Sequence, residues 1–118
     1  MSEHRNIAQG YIDSWNETDP AKRRLLVDEV YTSDATYTDP LGAVAGTEAI
    51  DQLLGAVQQQ FTGLRFTLGR VDGHHDIARF TWDLGVPGEE PVVVGFDVIV
   101  VAGNRIRHVH GFLDKVPG

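Results

Sequence analysis

Two side chains able to move a proton, Tyr37 and Asp39, stand two positions apart in the stretch ATYTDPLG, residues 35–42. Pro40 follows, and proline pushes the residue before it out of the helical region, so Asp39 is expected in extended backbone. Residues two apart on a strand share a face. If that face looks into an apolar cavity, desolvation raises the carboxyl pKa, and a carboxylate tuned in this way suits proton abstraction beside a carbonyl. An Asp-Pro pair is equally a common turn element, which gives Asp39 a purely structural reading. Tyr11 and Trp15 lie one turn apart on the first helical segment. They read either as core packing or as a pocket wall with polar tips.

Other polar residues point to less chemistry. His74 and His75 fall in a DGHHD turn and read as solvated loop residues. His108 and His110 share a strand face at a spacing that could hold a metal, but no third ligand accompanies them, and no metal site is assigned. Placed on an outer sheet face, they would make association sensitive to pH near neutrality. Asp97 interrupts an apolar strand. A buried unpaired charge is costly, so Asp97 needs either an interface position or a partner, with Arg79 or a histidine available.

Composition narrows the function classes. The absence of cysteine excludes disulfide scaffolds, thiolate zinc sites and cysteine nucleophiles. A net charge of -7 repels phosphate backbones, so nucleic acid is not an expected partner. No Gly-rich phosphate loop, serine-triad motif or zinc-helix motif occurs, and no cofactor is expected. No apolar run reaches membrane-spanning length, and MSEHRN lacks an apolar signal core. The chain is therefore read as cytoplasmic, with no membrane partner.

The elements that must position these residues follow from periodicity. Ile7, Tyr11, Ile12 and Trp15 repeat at helical spacing. Thr18 or Asp19 can cap a second helix with Pro20 at its first position, facing the core with Leu25, Leu26, Val30 and Tyr31. A short extended piece, 35–37, ends at Asp39-Pro40, and LGAVAG reads as a loop. Thr47 is expected to cap a third helix, whose stripe is Ile50, Leu53, Leu54, Val57 and Phe61. After Gly63 the period changes to two, through LRFTLGRVDG, IARFTWDLG, VVVGFDVIVV and RIRHVHGFLD. VDGHHD, GVPGEEP and AGN connect these strands, the last as a tight hairpin. Helices first and a strand meander second make an α+β domain spanning residues 1–118. In VVVGFDVIVV both strand parities are apolar apart from Asp97. Helices can cover one face only, so the outer face of the sheet is expected to meet a second subunit in a homodimer.

The stretch VYTSDATYTDPLGAVAGTEAIDQL, together with FDVIVVAGNRIRHVHGF, resembles the nuclear transport factor 2-like superfamily, in its ketosteroid isomerase and SnoaL-like polyketide cyclase branches. The likeness runs over essentially the whole chain. It implies a cone: a curved, mixed and largely antiparallel sheet with three helices in the N-terminal half around a central apolar cavity. In ketosteroid isomerases the carboxylate before the proline of the DP motif shuttles the proton, a position that Asp39 fills. Tyr11 matches the first-helix tyrosine that stabilises the enolate. Aligning FDVIV puts the accompanying acid on Val100, which leaves half of that oxyanion site missing. The resemblance to limonene epoxide hydrolases pairs Tyr37 with Asp39 and brings Arg79 and Thr81 inward, but puts the required aspartates on Thr81 and Gly111. SnoaL-like cyclases carry an acid/base aspartate near Gly111 and a histidine at Val109.

The resulting expectation is a cofactor-free enzyme of isomerase or cyclase type acting on a small apolar ring or carbonyl compound. Asp39 is its general base, and Tyr11 or Tyr37 donates to the oxyanion. Trp15, Tyr37, Phe61, Phe66 and Trp82 are expected to line the cavity. Phe96, Val100, Val109 and Arg79 complete the lining set, with Arg79 paired to Asp39. Hydrophobic alternation instead points Phe80 and Trp82 inward, against the epoxide-hydrolase alignment. The alternatives are a noncatalytic ligand-binding or protein-interaction domain of the same fold and, below it, an epoxide hydrolase.

Overall fold

The computed structural model describes residues 3–117. The element order is α1 (Glu3–Asn16), α2 (Pro20–Val30), β1 (Tyr31–Asp39), β2 (Gly42–Ala45), α3 (Thr47–Gln60), β3 (Arg65–His74), β4 (Ile77–Gly85), β5 (Val93–Ala102) and β6 (Arg105–Lys115). This is the expected α+β architecture: three helices and a six-stranded, mixed, curved and unclosed sheet. No helix among the described residues is long and apolar enough to cross a membrane.

The helices form where caps and stripes coincide. On α1 the buried residues Ala8, Tyr11, Ile12 and Trp15 fall on one side. Asp19 caps α2 by accepting from the Lys22 backbone N–H, and Pro20 takes the first turn, where its missing N–H costs nothing. The core face of α2 is Val27 and Val30, not the expected set containing Leu25, which is 65% exposed. At 3.6 residues per turn Leu25 and Val30 point about 140° apart, so one narrow contact face cannot hold both. On α3 the cap position belongs to Gly46 at φ 89°, with no side-chain cap, and Thr47 is the first helical residue. Gly46 turns the chain sharply from β2 into the helix in a conformation open to glycine.

The strand order is β2-β1-β6-β5-β4-β3. Every pairing is antiparallel except β1 with β6. Two segments are more ordered than the sequence reading allowed. β1 runs through residues 31–39 rather than 35–37, and the supposed loop LGAVAG contains β2, paired to β1 from Thr36–Ala45 to Asp39–Gly42. Small residues there satisfy their backbone groups by pairing with β1. Likewise β3 continues to His74, so VDGHHD reduces to a turn at His75-Asp76, with His75 in the left-handed region at φ 51°.

Side-chain parity sets the two faces. On β4, Ala78, Phe80, Trp82 and Leu84 are buried, while the residues between them are more open. On β5, Val93, Gly95, Asp97, Ile99 and Val101 are buried; Val94, Phe96, Val98 and Val100 on the other parity are half-buried. Tyr11 reaches the centre of the inner face, with its ring 5.4 Å from Phe80 and 6.2 Å from Tyr31.

Candidate functional site

Register brings three distant positions into one cross-strand row. Phe80 on β4 pairs with Asp97 on β5, and Asp97 pairs with Gly111 on β6. Beyond Gly111 lies Asp39 at the end of β1, since Thr38 pairs with His110. A Cβ on Gly111 would stand 2.9 Å from Asp97 Oδ1 and 3.4 Å from the Asp39 Cβ. Bare backbone at Gly111 is therefore what lets the two aspartates approach from either side.

Asp97 is 2% exposed. The Tyr11 hydroxyl donates to its Oδ2 at 2.7 Å, linking α1 to β5 across 86 residues. Burial raises the Asp97 pKa to about 6, against the lowering effect of the Tyr11 hydrogen bond and of the nearby Trp82 indole, with the Asp39 charge adding a further upward push. The Trp82 ring lies over Gly95, where a side chain would collide with it. Its N–H sits near Asp97 without reaching hydrogen-bond geometry. Burial first, then the Asp97 charge, holds the Tyr11 hydroxyl well above the usual phenol range. Ser14 Oγ donates back to the Tyr11 carbonyl at 2.6 Å and steadies that turn of the helix.

Asp39 is anchored differently. The Tyr37 hydroxyl donates to its Oδ2 at 2.7 Å, while the backbone N–H groups of Leu41 and Gly42 donate to Oδ1 at 2.8 and 3.1 Å. The sequence posed Asp39 as turn residue or pocket carboxylate, and it is both: Oδ1 makes the turn into β2, and the side chain lies in the wall of a cavity. Burial and the Asp39 hydrogen bond push the Tyr37 hydroxyl far upward, so it stays a donor.

That cavity holds about 420 Å³ between α1, α3 and the inner face of the sheet. Its wall includes Tyr11, Trp15, Tyr37, Asp39, Phe61, Phe66 and Trp82, all expected from the sequence, together with Ile12, Val57, Leu84, Val93 and Leu113. Leu41 and Val116 stand exposed at its rim. The ring centroids of Tyr37, Trp15, Phe66 and Trp82 succeed one another at 5.7, 5.2 and 5.3 Å. A second hollow, of about 730 Å³ beside α2 and the β5–β6 hairpin, is mostly polar and contains none of these rings or carboxylates. We take the smaller, aromatic cavity as the site, because apolar walls with a few convergent polar groups are what a small-molecule pocket requires. Among the described residues, no group of three or more potential ligands is placed to hold a metal ion.

Four expected lining residues lie elsewhere. Arg79 points to the opposite face, 62% exposed, and pairs with Asp72 at 3.1 Å. Alternation was the correct guide on β4, and the arginine cannot meet Asp39. Phe96 and Val100 have the outward parity of β5, and Phe96 stacks on Phe112 at 6.3 Å. Val109 is fully buried in the core rather than on the cavity wall. A buried acid does lie on the inward parity of this strand, Asp97, three positions before Val100, and its partner is Tyr11 rather than Arg79 or a histidine. Parity carried that signal: Asp97 alternates in phase with Val93, Ile99 and Val101, and Val100 does not. His108 and His110 sit on the outer strand positions, with His108 Nδ1 2.7 Å from Thr36 Oγ1.

The sequence pattern of the SnoaL-like domain matches residues 8–109. A candidate isomerase of the SnoaL-like family from Agrobacterium tumefaciens is 40% identical over 97% of this chain and 99% of its own, with a TM-score of 0.90. A candidate ketosteroid isomerase from Kribbella flavida superposes with a TM-score of 0.73 at 18% identity, covering 98% of this chain and 81% of that one. A candidate SnoaL-like polyketide cyclase from Jannaschia sp. gives 0.73 at 16% identity, covering 97% and 89%. At such identities the last two show a shared fold. No curated protein sequence matches the chain.

Proposed function

We propose, starting from the fact that this chain belongs to the SnoaL-like domain family, that it is a cofactor-free proton-transfer enzyme of isomerase or cyclase type acting on an apolar carbonyl or ring compound. The observation that carries this reading is the buried Tyr11–Asp97 pair at 2.7 Å, separated from Asp39 only by Gly111. Asp39 would remove a proton from the carbon beside a carbonyl, using the free lone pair of Oδ2 while Tyr37 and two backbone N–H groups hold the carboxylate in place. The electron pair would move to the carbonyl oxygen, where Tyr11, which lines the cavity, can donate. Asp97 stands behind Tyr11; in its neutral form it can donate to the tyrosine oxygen as Tyr11 turns its own proton to the oxyanion. The proton would return from Asp39 to another carbon, completing an isomerisation.

The test is hydrogen exchange at the carbon beside the carbonyl in a panel of cyclic ketones dissolved in heavy water, followed by NMR. The wild type is expected to exchange a ring ketone ~10²–10⁴-fold faster than Asp39→Asn, the usual contribution of a positioned base. Equal rates in the two proteins would reject the reading. One observation favours the alternative, a binding domain without turnover: Asp39 already accepts three hydrogen bonds, as a purely structural turn residue does. The epoxide-hydrolase reading loses its support, because Arg79 faces away from the cavity.

The same proposal includes a homodimer through the outer sheet face. Val94, Phe96, Val98 and Val100 form an apolar strip there with Phe112, which is 54% exposed. Arg79 and Asp83 border it with opposite charges, so two copies of one surface can match sign to sign.

A further inference from the structure

We infer that the compound held in the cavity carries a hydrophobic ammonium group, a protonated tertiary or a quaternary alkylamine, seated between the aromatic wall and Asp39. The inference rests on the cavity being the ligand site and names the class of compound that enters it. Its first support is an inventory of charge. Asp39 is the only charged side chain among the described wall residues, and no lysine, arginine or histidine joins it. Arg79, the cation expected beside it, is bonded to Asp72 on the other face of the sheet. Asp39 is thus held by dipoles alone: one hydroxyl and two backbone N–H groups. A partly buried carboxylate is ordinarily matched by a counter-charge. Here the matching charge has room to come from the ligand.

Proton transfer does not change this balance. When Asp39 takes a proton from a neutral substrate, the negative charge moves to the oxyanion and stays in the cavity. Only a cationic substrate neutralises the site at every stage. The wall suits one kind of cation. Tyr37, Trp15, Phe66 and Trp82 form a continuous run of rings with centroids 5.2–5.7 Å apart, and ring faces carry partial negative charge. A bare metal ion would lose its hydration shell in such a place with too few oxygen ligands to replace it. An alkylated ammonium is weakly hydrated, bulky and apolar at its surface, which matches rings on one side and a carboxylate on the other. The exposed rim side chains Leu41 and Val116 would close over alkyl groups rather than over a hydrated ion.

The experiment is titration calorimetry of the intact protein near neutral pH with benzyltrimethylammonium and with neopentylbenzene, which replaces the charged nitrogen by carbon at the same shape. The wild type is expected to bind the cation at least ~tenfold more tightly than the neutral isostere. In Asp39→Asn that preference should fall away. Equal or tighter binding of the isostere by the wild type overturns the inference with no variant needed, and so does failure to bind either compound. A preference that survives Asp39→Asn overturns the seat beside Asp39. These outcomes separate from those of the exchange test: a neutral ligand can still be turned over, and a bound ammonium can fail to exchange.

Discussion

Asp97 is the residue whose ionisation matters most. Burial lifts its pKa from 3.8 to about 6 in the folded chain. A carboxyl raised on folding contributes stability that is full below the unfolded value of 3.8 and is lost as pH rises through about 6. The difference corresponds to ~3 kcal/mol. Urea unfolding of the wild type and Asp97→Asn should therefore diverge with pH, the wild type losing most of that amount relative to the variant as pH rises from about 4 to about 7. Parallel curves for the two proteins would show that Asp97 does not ionise across this range. Proton transfer that depends on neutral Asp97 should weaken over the same interval.

Elements rather than single residues place the two aspartates. β1 and β5 each bring one, and β6 lies between them with Gly111 at the crossing point. Gly111→Ala would put a methyl group 2.9 Å from Asp97 Oδ1. We expect a loss of ~1–3 kcal/mol in stability, as for other overpacked interiors, together with a change in the exchange rate; an unchanged protein by both measures would mean that the row is slacker than it looks. How far such placement was legible varied by element. The α1 stripe, the strands after Gly63 and the position of Asp39 were readable, because period and proline report directly on local backbone. β2 was not: GAVA is short, carries no alternation, and is a strand only because β1 lies beside it. Nor was the Tyr11–Asp97 bond, whose partners are 86 residues apart and meet through tertiary register. Val100 was expected in the cavity wall on alignment by similarity, where strand parity, which turns it outward, was the sounder rule. Arg79 was drawn inward by the same preference for resemblance over alternation.

For the whole molecule, the apolar outer strip makes assembly the property to measure. If two copies pair there, Phe112→Glu places a charge at the centre of the contact, and sedimentation should show a wild-type dimer and a variant monomer with native circular dichroism. A wild type that sediments as a monomer at tens of micromolar, roughly the range in which weak interfaces populate, would dismiss the pairing. The parallel contact between β1 and β6 has another consequence. Asp39 and Gly111 lie far apart in the chain and meet through the β1–β6 pairing, and Tyr11 is joined to β5 across 86 residues. Such long-range closures come late, since loop entropy must be overcome before they form. No partly folded chain lacking them contains the site. A bound compound would then hold the finished protein shut without hastening its formation, lengthening the native lifetime while leaving the speed of folding where the sheet topology set it.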